Sequence, residues 1–108
     1  MSKESIKIGI SGNTAAPCFL AIKAKGYEIN IISTTTSDYF GDIEYQFDAI
    51  KGDLFFNATS PEELLGLIHM WEIRGKNWQL HPDEKGIYTA ALMEAPLYDE
   101  NDNLIEDE

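Results

Sequence analysis

The sequence predicts an α+β two-layer sandwich in the order β-α-β-β-β-α, with four strands in one sheet and two helices on one of its faces. Three observations carry this expectation. Several short runs alternate apolar and polar residues, as half-buried strands do, beginning with Ile6, Ile8 and Ile10 in SIKIGI. Two other runs have helical periodicity with recognisable starts and stops. Two of the strand-like runs are joined by Lys51, Gly52 and Asp53 alone, too short for a parallel crossover.

In chain order, the first strand is expected over residues 5–10. The next run, SGNTAAPCFLAIKAKG, reads as a helix with Asn13 or Thr14 as N-cap. Pro17 is tolerated in the first turn, where backbone N–H groups lack helical partners, and Gly26 supplies the stop. YEINIIS, residues 27–33, restores strand alternation. Residues 5–31 can therefore form a right-handed parallel unit, which would make the sheet mixed. Ile43, Tyr45, Phe47 and Ala49 alternate with Glu44, Gln46 and Asp48, giving a strand with one face to the core and one to water. LFFNA, residues 54–58, returns as the second arm of a hairpin.

SPEELLGLIHMWEIRGKNW, residues 60–78, holds the second helix. Ser60 and Glu63 form a capping box, Pro61 takes the first helical position, and Arg74 and Gly75 mark the end. At 100° per residue, Leu64, Leu67, Ile68 and Trp71 form the stripe that should meet the sheet. Glu62, Gly66, His69 and Ile73 fall on the opposite side, so His69 is expected on the surface. The stretch IYTAALMEAPLY, residues 87–98, is apolar enough to pack back across this helix. Residues 1–98 are accordingly expected to be a single domain, followed by an acidic tail over 99–108.

Composition narrows the function classes. The chain has 108 residues and a net charge of −11. Residues 79–108 hold nine acids against Lys85 alone, a net −8, whereas the ten acids and seven bases of residues 1–78 leave an ordinary −3. Such a field repels phosphates and lacks the basic stripe that nucleic-acid binding requires, so no nucleic-acid partner is expected. No run approaches a membrane span and no secretory leader is legible at the N-terminus, which makes a cytoplasmic protein without membrane partners the expectation. The single cysteine, Cys18, precludes an internal disulfide and lies in the apolar run AAPCFLAI as a small core residue.

No catalytic constellation stands out. His69 with Glu72 one turn on could form a base and its orienting carboxylate, but no nucleophile is tied to them. His69, Glu72, His81 and Asp83 do not match a metal-ligand spacing, and HPDE reads as a turn. Neither metal nor cofactor is expected. The preferred function is a non-enzymatic domain that binds a protein, either a basic partner or a second copy of itself. By size and charge alone, inhibitors and immunity-type antitoxins of cationic toxins are comparable. The expected interface comprises Leu65, Met70, Ile73, Arg74 and Trp78 around the second helix, with Asp99, Glu100 and Asp102 of the tail. The competing expectation is a small-anion or phosphate site, binding or enzymatic. If the first two strands are parallel, Ser11, Asn13 and Thr14 meet Thr34 and Thr35 at one sheet edge, beside the N-terminus of the first helix.

Overall fold

A computed structural model describes residues 5–35 and 42–105. Two compact units divide the chain, residues 1–76 and 77–108, and each is described by itself. Thr36, Ser37 and the three terminal acids Glu106, Asp107 and Glu108 lie outside the described residues.

The first unit contains α1 (Ala15–Ala24), β1 (Glu28–Thr35), β2 (Ile43–Lys51), β3 (Leu54–Ala58) and α2 (Pro61–Arg74). Its sheet has three strands in the order β1-β2-β3, and both pairings are antiparallel. The α+β class expected from the sequence is present. The four-stranded sheet and the order β-α-β-β-β-α are not, because residues 5–10 form no strand. Alternation supplies an apolar face but no partner strand, and Gly9 weakens any isolated strand at that point. With that strand gone, the proposed parallel unit disappears as well: β1 pairs antiparallel with β2, Glu28 opposite Ile50 through Thr35 opposite Ile43.

The β2–β3 hairpin forms as expected. Lys51 pairs with Leu54 across a two-residue loop, and Gly52 stands first in that loop at φ +58°, where a side chain would be strained.

In α1, Thr14 stands at the N-cap position but does not cap with its side chain. Its hydroxyl is committed elsewhere, its single proton shared between Ser11 O at 2.8 Å and Glu62 Oε2 at 2.7 Å. Gly26 follows the helix at φ +92° and donates to Lys23 O, ending it as the sequence indicates. Lys51 Nζ donates to the Lys25 carbonyl at 2.8 Å and lies 5.4 Å from the Tyr27 ring centroid, so a cation closes the negative end of the helix.

In α2 the Ser60 cap forms, Glu63 N donating to Ser60 Oγ at 3.1 Å, but the reciprocal arm of the expected capping box does not: Glu63 Oε1 accepts from the Ser60 hydroxyl at 2.9 Å instead of from its backbone N–H. Ser60→Ala is expected to lower the unfolding free energy by about 1 kcal/mol, read from urea denaturation.

The core is small and lies on one side of the sheet. Ile22 of α1, Tyr27, Ala49 of β2, Ala58 of β3, and Leu64 and Ile68 of α2 are buried together. Ile29, Phe47, Leu54, Phe56 and Leu65 pack around them. Of the stripe expected on α2, Leu64 and Ile68 are fully buried, Trp71 is half-buried and Leu67 reaches the surface. Tyr27, Phe56 and Trp71 meet edge to face, with ring centroids 6.0 and 6.4 Å apart.

The second unit contains a 3₁₀ turn (Pro82–Glu84), α3 (Ile87–Glu94), and a two-stranded sheet of β4 (Leu97–Tyr98) and β5 (Leu104–Ile105). Residues 87–98, which carried the expectation of packing back, build α3 and β4 here. Asp99 organises the hairpin. Its Oδ1 accepts from the N–H groups of Asn101 and Asn103, both at 2.9 Å, and its own N–H donates to Asn103 O. Those backbone donors hold the Asp99 carboxyl below the usual carboxylate range. Asp102 closes the turn at φ +63°, a left-handed conformation that aspartate tolerates better than most residues. Among the described residues no helix is long and apolar enough to cross a membrane.

Candidate functional site

Strand geometry divides the three-stranded sheet into two unlike faces. Ile29, Phe47, Ala49, Leu54, Phe56 and Ala58 turn toward the core, so the alternate residues look the other way. On β1 those are Glu28, Asn30, Ile32 and Thr34; on β2, Glu44, Gln46, Asp48 and Ile50; on β3, Phe55 and Asn57. This outer face carries three carboxylates and no Lys, Arg or His. It also displays Ile32 at 50% and Phe55 at 61% exposure.

Register assembles the face. Glu28 stands opposite Ile50, Asn30 opposite Asp48, and Thr34 opposite Glu44, which interleaves acids from β1 and β2 with apolar side chains. Asn57 on β3 donates its side-chain amide to Asp48 Oδ1 at 2.6 Å and fixes that carboxylate's direction. No cation pairs with Glu28, Glu44 or Asp48 among the described residues. A preset, unneutralised acidic surface around exposed apolar groups has the chemistry to meet cationic side chains flanking an apolar patch.

The expected anion site is assembled differently from its premise. Ser11–Thr14 is a closed turn: Ser11 N donates to Thr14 Oγ1, Asn13 N donates to Ser11 Oγ, and Thr14 N donates to Ser11 O. Thr14 is tied to Glu62 of α2. Thr34 lines an open cleft of about 850 Å³ in the first unit, with Ala15, Tyr45, Ser60, Pro61 and Glu62. Thr35 pairs with Ile43 at the end of β1. The structure thus brings Thr34 and the start of α1 to one cleft, but with Glu44 and Glu62 in its wall, and carboxylates there oppose an anion.

No known family, curated protein or solved structure matches this chain. Its own residues therefore carry the functional argument.

The residues expected around the second helix have different environments. Leu65 packs against the core cluster, Met70 and Arg74 are half-buried, and Ile73 is exposed at 71%. Trp78 belongs to the second unit and is 46% exposed. Of the tail acids, Asp99 and Asp102 shape the β4–β5 hairpin, and Glu100 is exposed in its turn.

His69 is on the surface of α2 with Nδ1 3.7 Å from Glu72 Oε1. Glu72 has a closer partner, since Lys25 Nζ donates to its two oxygens at 2.8 and 3.0 Å, bridging the end of α1 to α2. That hydrogen bond is the main cause of a lowered Glu72 carboxyl pKa, with His69 adding in the same direction. A lowered folded-state value stabilises the fold above the unfolded glutamate pKa, and the contribution is lost as pH falls through the folded value. Glu72 is expected to titrate below a free glutamate in a carboxyl NMR titration, and Lys25→Met to move it back up. Burial is the largest influence on Tyr27 and raises its phenol pKa, with Glu72 adding to the rise. Among the described residues no three His, Cys, Asp or Glu side chains are grouped as ligands for a metal ion.

Sequence patterning pointed to Glu44, Gln46 and Asp48 as a water-facing set, yet not to the full face. Glu28, Ile32 and Phe55 join them only once strand register is known.

Proposed function

We propose that the first unit is a non-enzymatic protein-binding domain whose outer sheet face docks a basic protein partner. One observation carries this reading: Glu28, Glu44 and Asp48 share a face with exposed Ile32 and Phe55 and with no cation. Apolar groups supply contact area, and the acids select a positively charged surface and speed encounter with it. The excess charge of residues 79–108 acts in the same sense at longer range. A phosphate backbone is repelled by the same groups, which makes the partner a protein and not a nucleic acid. An inhibitor or immunity-like role against a cationic protein fits this chemistry.

The test is a parallel capture from one cell extract, using the intact chain and a Glu28→Gln/Glu44→Gln/Asp48→Asn variant. A basic protein retained by the first and released by the second supports the reading. A partner retained equally by both overturns it.

The cleft beside Thr34 sustains a second reading, a small-ligand domain, because the hydroxyl-bearing residues Thr34, Tyr45 and Ser60 line one concavity.

A further inference from the structure

We propose that residues 5–10 form a strand along the outer edge of β1, at Glu28 to Thr34, in a second copy of this chain, joining two copies by reciprocal exchange of these arms. Four observations meet here. The segment SIKIGI has strict strand alternation, yet its backbone has no hydrogen-bond partner among the described residues. Ile6, Ile8 and Ile10 are 82, 81 and 82% exposed, an apolar row without cover. Among the described residues β1 is an eight-residue strand at the border of its sheet, with β2 on one side and no strand on the other. Its inner side carries Ile31 at 51% exposure, beyond the part of the sheet that α2 covers through β2 and β3. A long open edge with an uncovered apolar side is a template for strand addition.

Charge and register agree on the orientation. With Ile6, Ile8 and Ile10 turned to the inner side, they continue the row of Ile29 and Ile31. The intervening Lys7 then falls on the outer side, where β1 carries Glu28 and no cation. The arm is the complement of the edge in both respects, since residues 5–10 contain Lys7 and no acid.

A second copy is favoured over the arm's own sheet by the turn that follows it. Ser11–Thr14 is locked by its internal hydrogen bonds, and Thr14 is held to Glu62 on α2. With that turn closed, the arm leaves its own unit with all three isoleucines in solvent. Among the described residues the arm makes no pairing in cis with this turn closed, and pairing in trans leaves the turn's bonds intact. Reciprocal exchange is an isologous, closed arrangement, and two arms laid along two edges reach the order of 1,000 Å² at which specific interfaces begin.

The experiment is sedimentation and light scattering of the full chain across roughly 1–100 μM, a range that brackets a moderate dimer affinity. The expected result is a mass of twice 12.2 kDa at the upper end. Ile8→Pro, which removes an N–H and fixes φ, and Ile8→Asp, which charges the row, are each expected to weaken the dimer by about 10-fold or more while leaving the far-ultraviolet spectrum unchanged. A chain that is monomeric throughout overturns the proposal, as does a dimer indifferent to both substitutions. Amides of residues 6–10 protected from hydrogen exchange in a monomer also overturn it, because the arm is then folded onto its own sheet.

Discussion

Ile68→Ala is expected to lower the unfolding free energy of the first unit by about 2–5 kcal/mol. Ile68 is fully buried at the centre of α2, in a cluster with Ile22, Leu64, Ala49, Ala58 and Tyr27. Two of those neighbours are alanines on the sheet and cannot reach into the space the removed atoms leave, so the site collapses poorly. The penalty then includes both lost transfer energy and a residual cavity. At roughly 0.05–0.15 kcal/mol per residue, a unit of this size holds only about 4–11 kcal/mol in all, so the loss takes a large share of it. Urea denaturation followed by tryptophan fluorescence measures the change, because Trp71 meets Phe56 edge to face beside the same cluster. Two controls separate burial from helix propensity. His69→Ala, one residue along on the exposed side, is expected to stay within about 0.5 kcal/mol of the parent. Leu67→Ala should fall between them, since Leu67 is 37% exposed. Equal losses at positions 67 and 68 would contradict the placement of the core.

The second large effect concerns binding. Neutralising Glu28, Glu44 and Asp48 together is expected to weaken the captured basic partner by about 10- to 100-fold, the equivalent of about 1.4–2.7 kcal/mol. The salt response is the more discriminating readout. Opposite charges that meet across an interface in water are screened beyond about 10 Å at 0.1 M salt, so added salt should weaken the parent complex. The variant should respond less, because the charges responsible are gone. Most of its loss should appear in the association rate, where steering acts, with a smaller change in dissociation. Folding is expected to survive, since Glu28 and Glu44 are exposed, and the amide oxygen of Asp48→Asn still accepts from Asn57. Loss of the complex with an unchanged salt slope would mean that the partner reads Ile32 and Phe55 and ignores the acids.

Legibility in the sequence followed the range of the interactions. Local chemistry was plain: the Ser60 cap, the Gly52 turn and the Gly26 stop each depend on residues a few positions apart, and each stands as expected. The pairing of β2 with β3 was equally accessible, because its short connection leaves one option. The role of residues 5–10 was not accessible. Alternation shows which side of a strand would be apolar, but a strand also needs a neighbour, and among the described residues none is supplied. The candidate site failed to show for a related reason. Its members come from three strands, so only register puts Glu28, Asp48 and Phe55 on one surface. Asp99 was legible as charge and not as a hairpin keystone, since a count of acids does not reveal which carboxylate is bonded to backbone. Likewise, the Thr14–Glu62 bond joins residues 48 positions apart and took Thr14 away from the capping role expected of it.

The position of the core has a consequence for how the sheet yields. Buried residues tie down the end of the β1–β2 ladder near Ile29 and Ala49, while Ile31, Tyr45 and Ile43 toward the other end are about half exposed. The ladder is therefore held by side-chain packing at one end and by the covalent connection between its two strands at the other. Local opening therefore costs least in the rungs Ile32–Gln46 and Ser33–Tyr45, which lie away from the packed cluster, and more where Phe47 and Ala49 enter it.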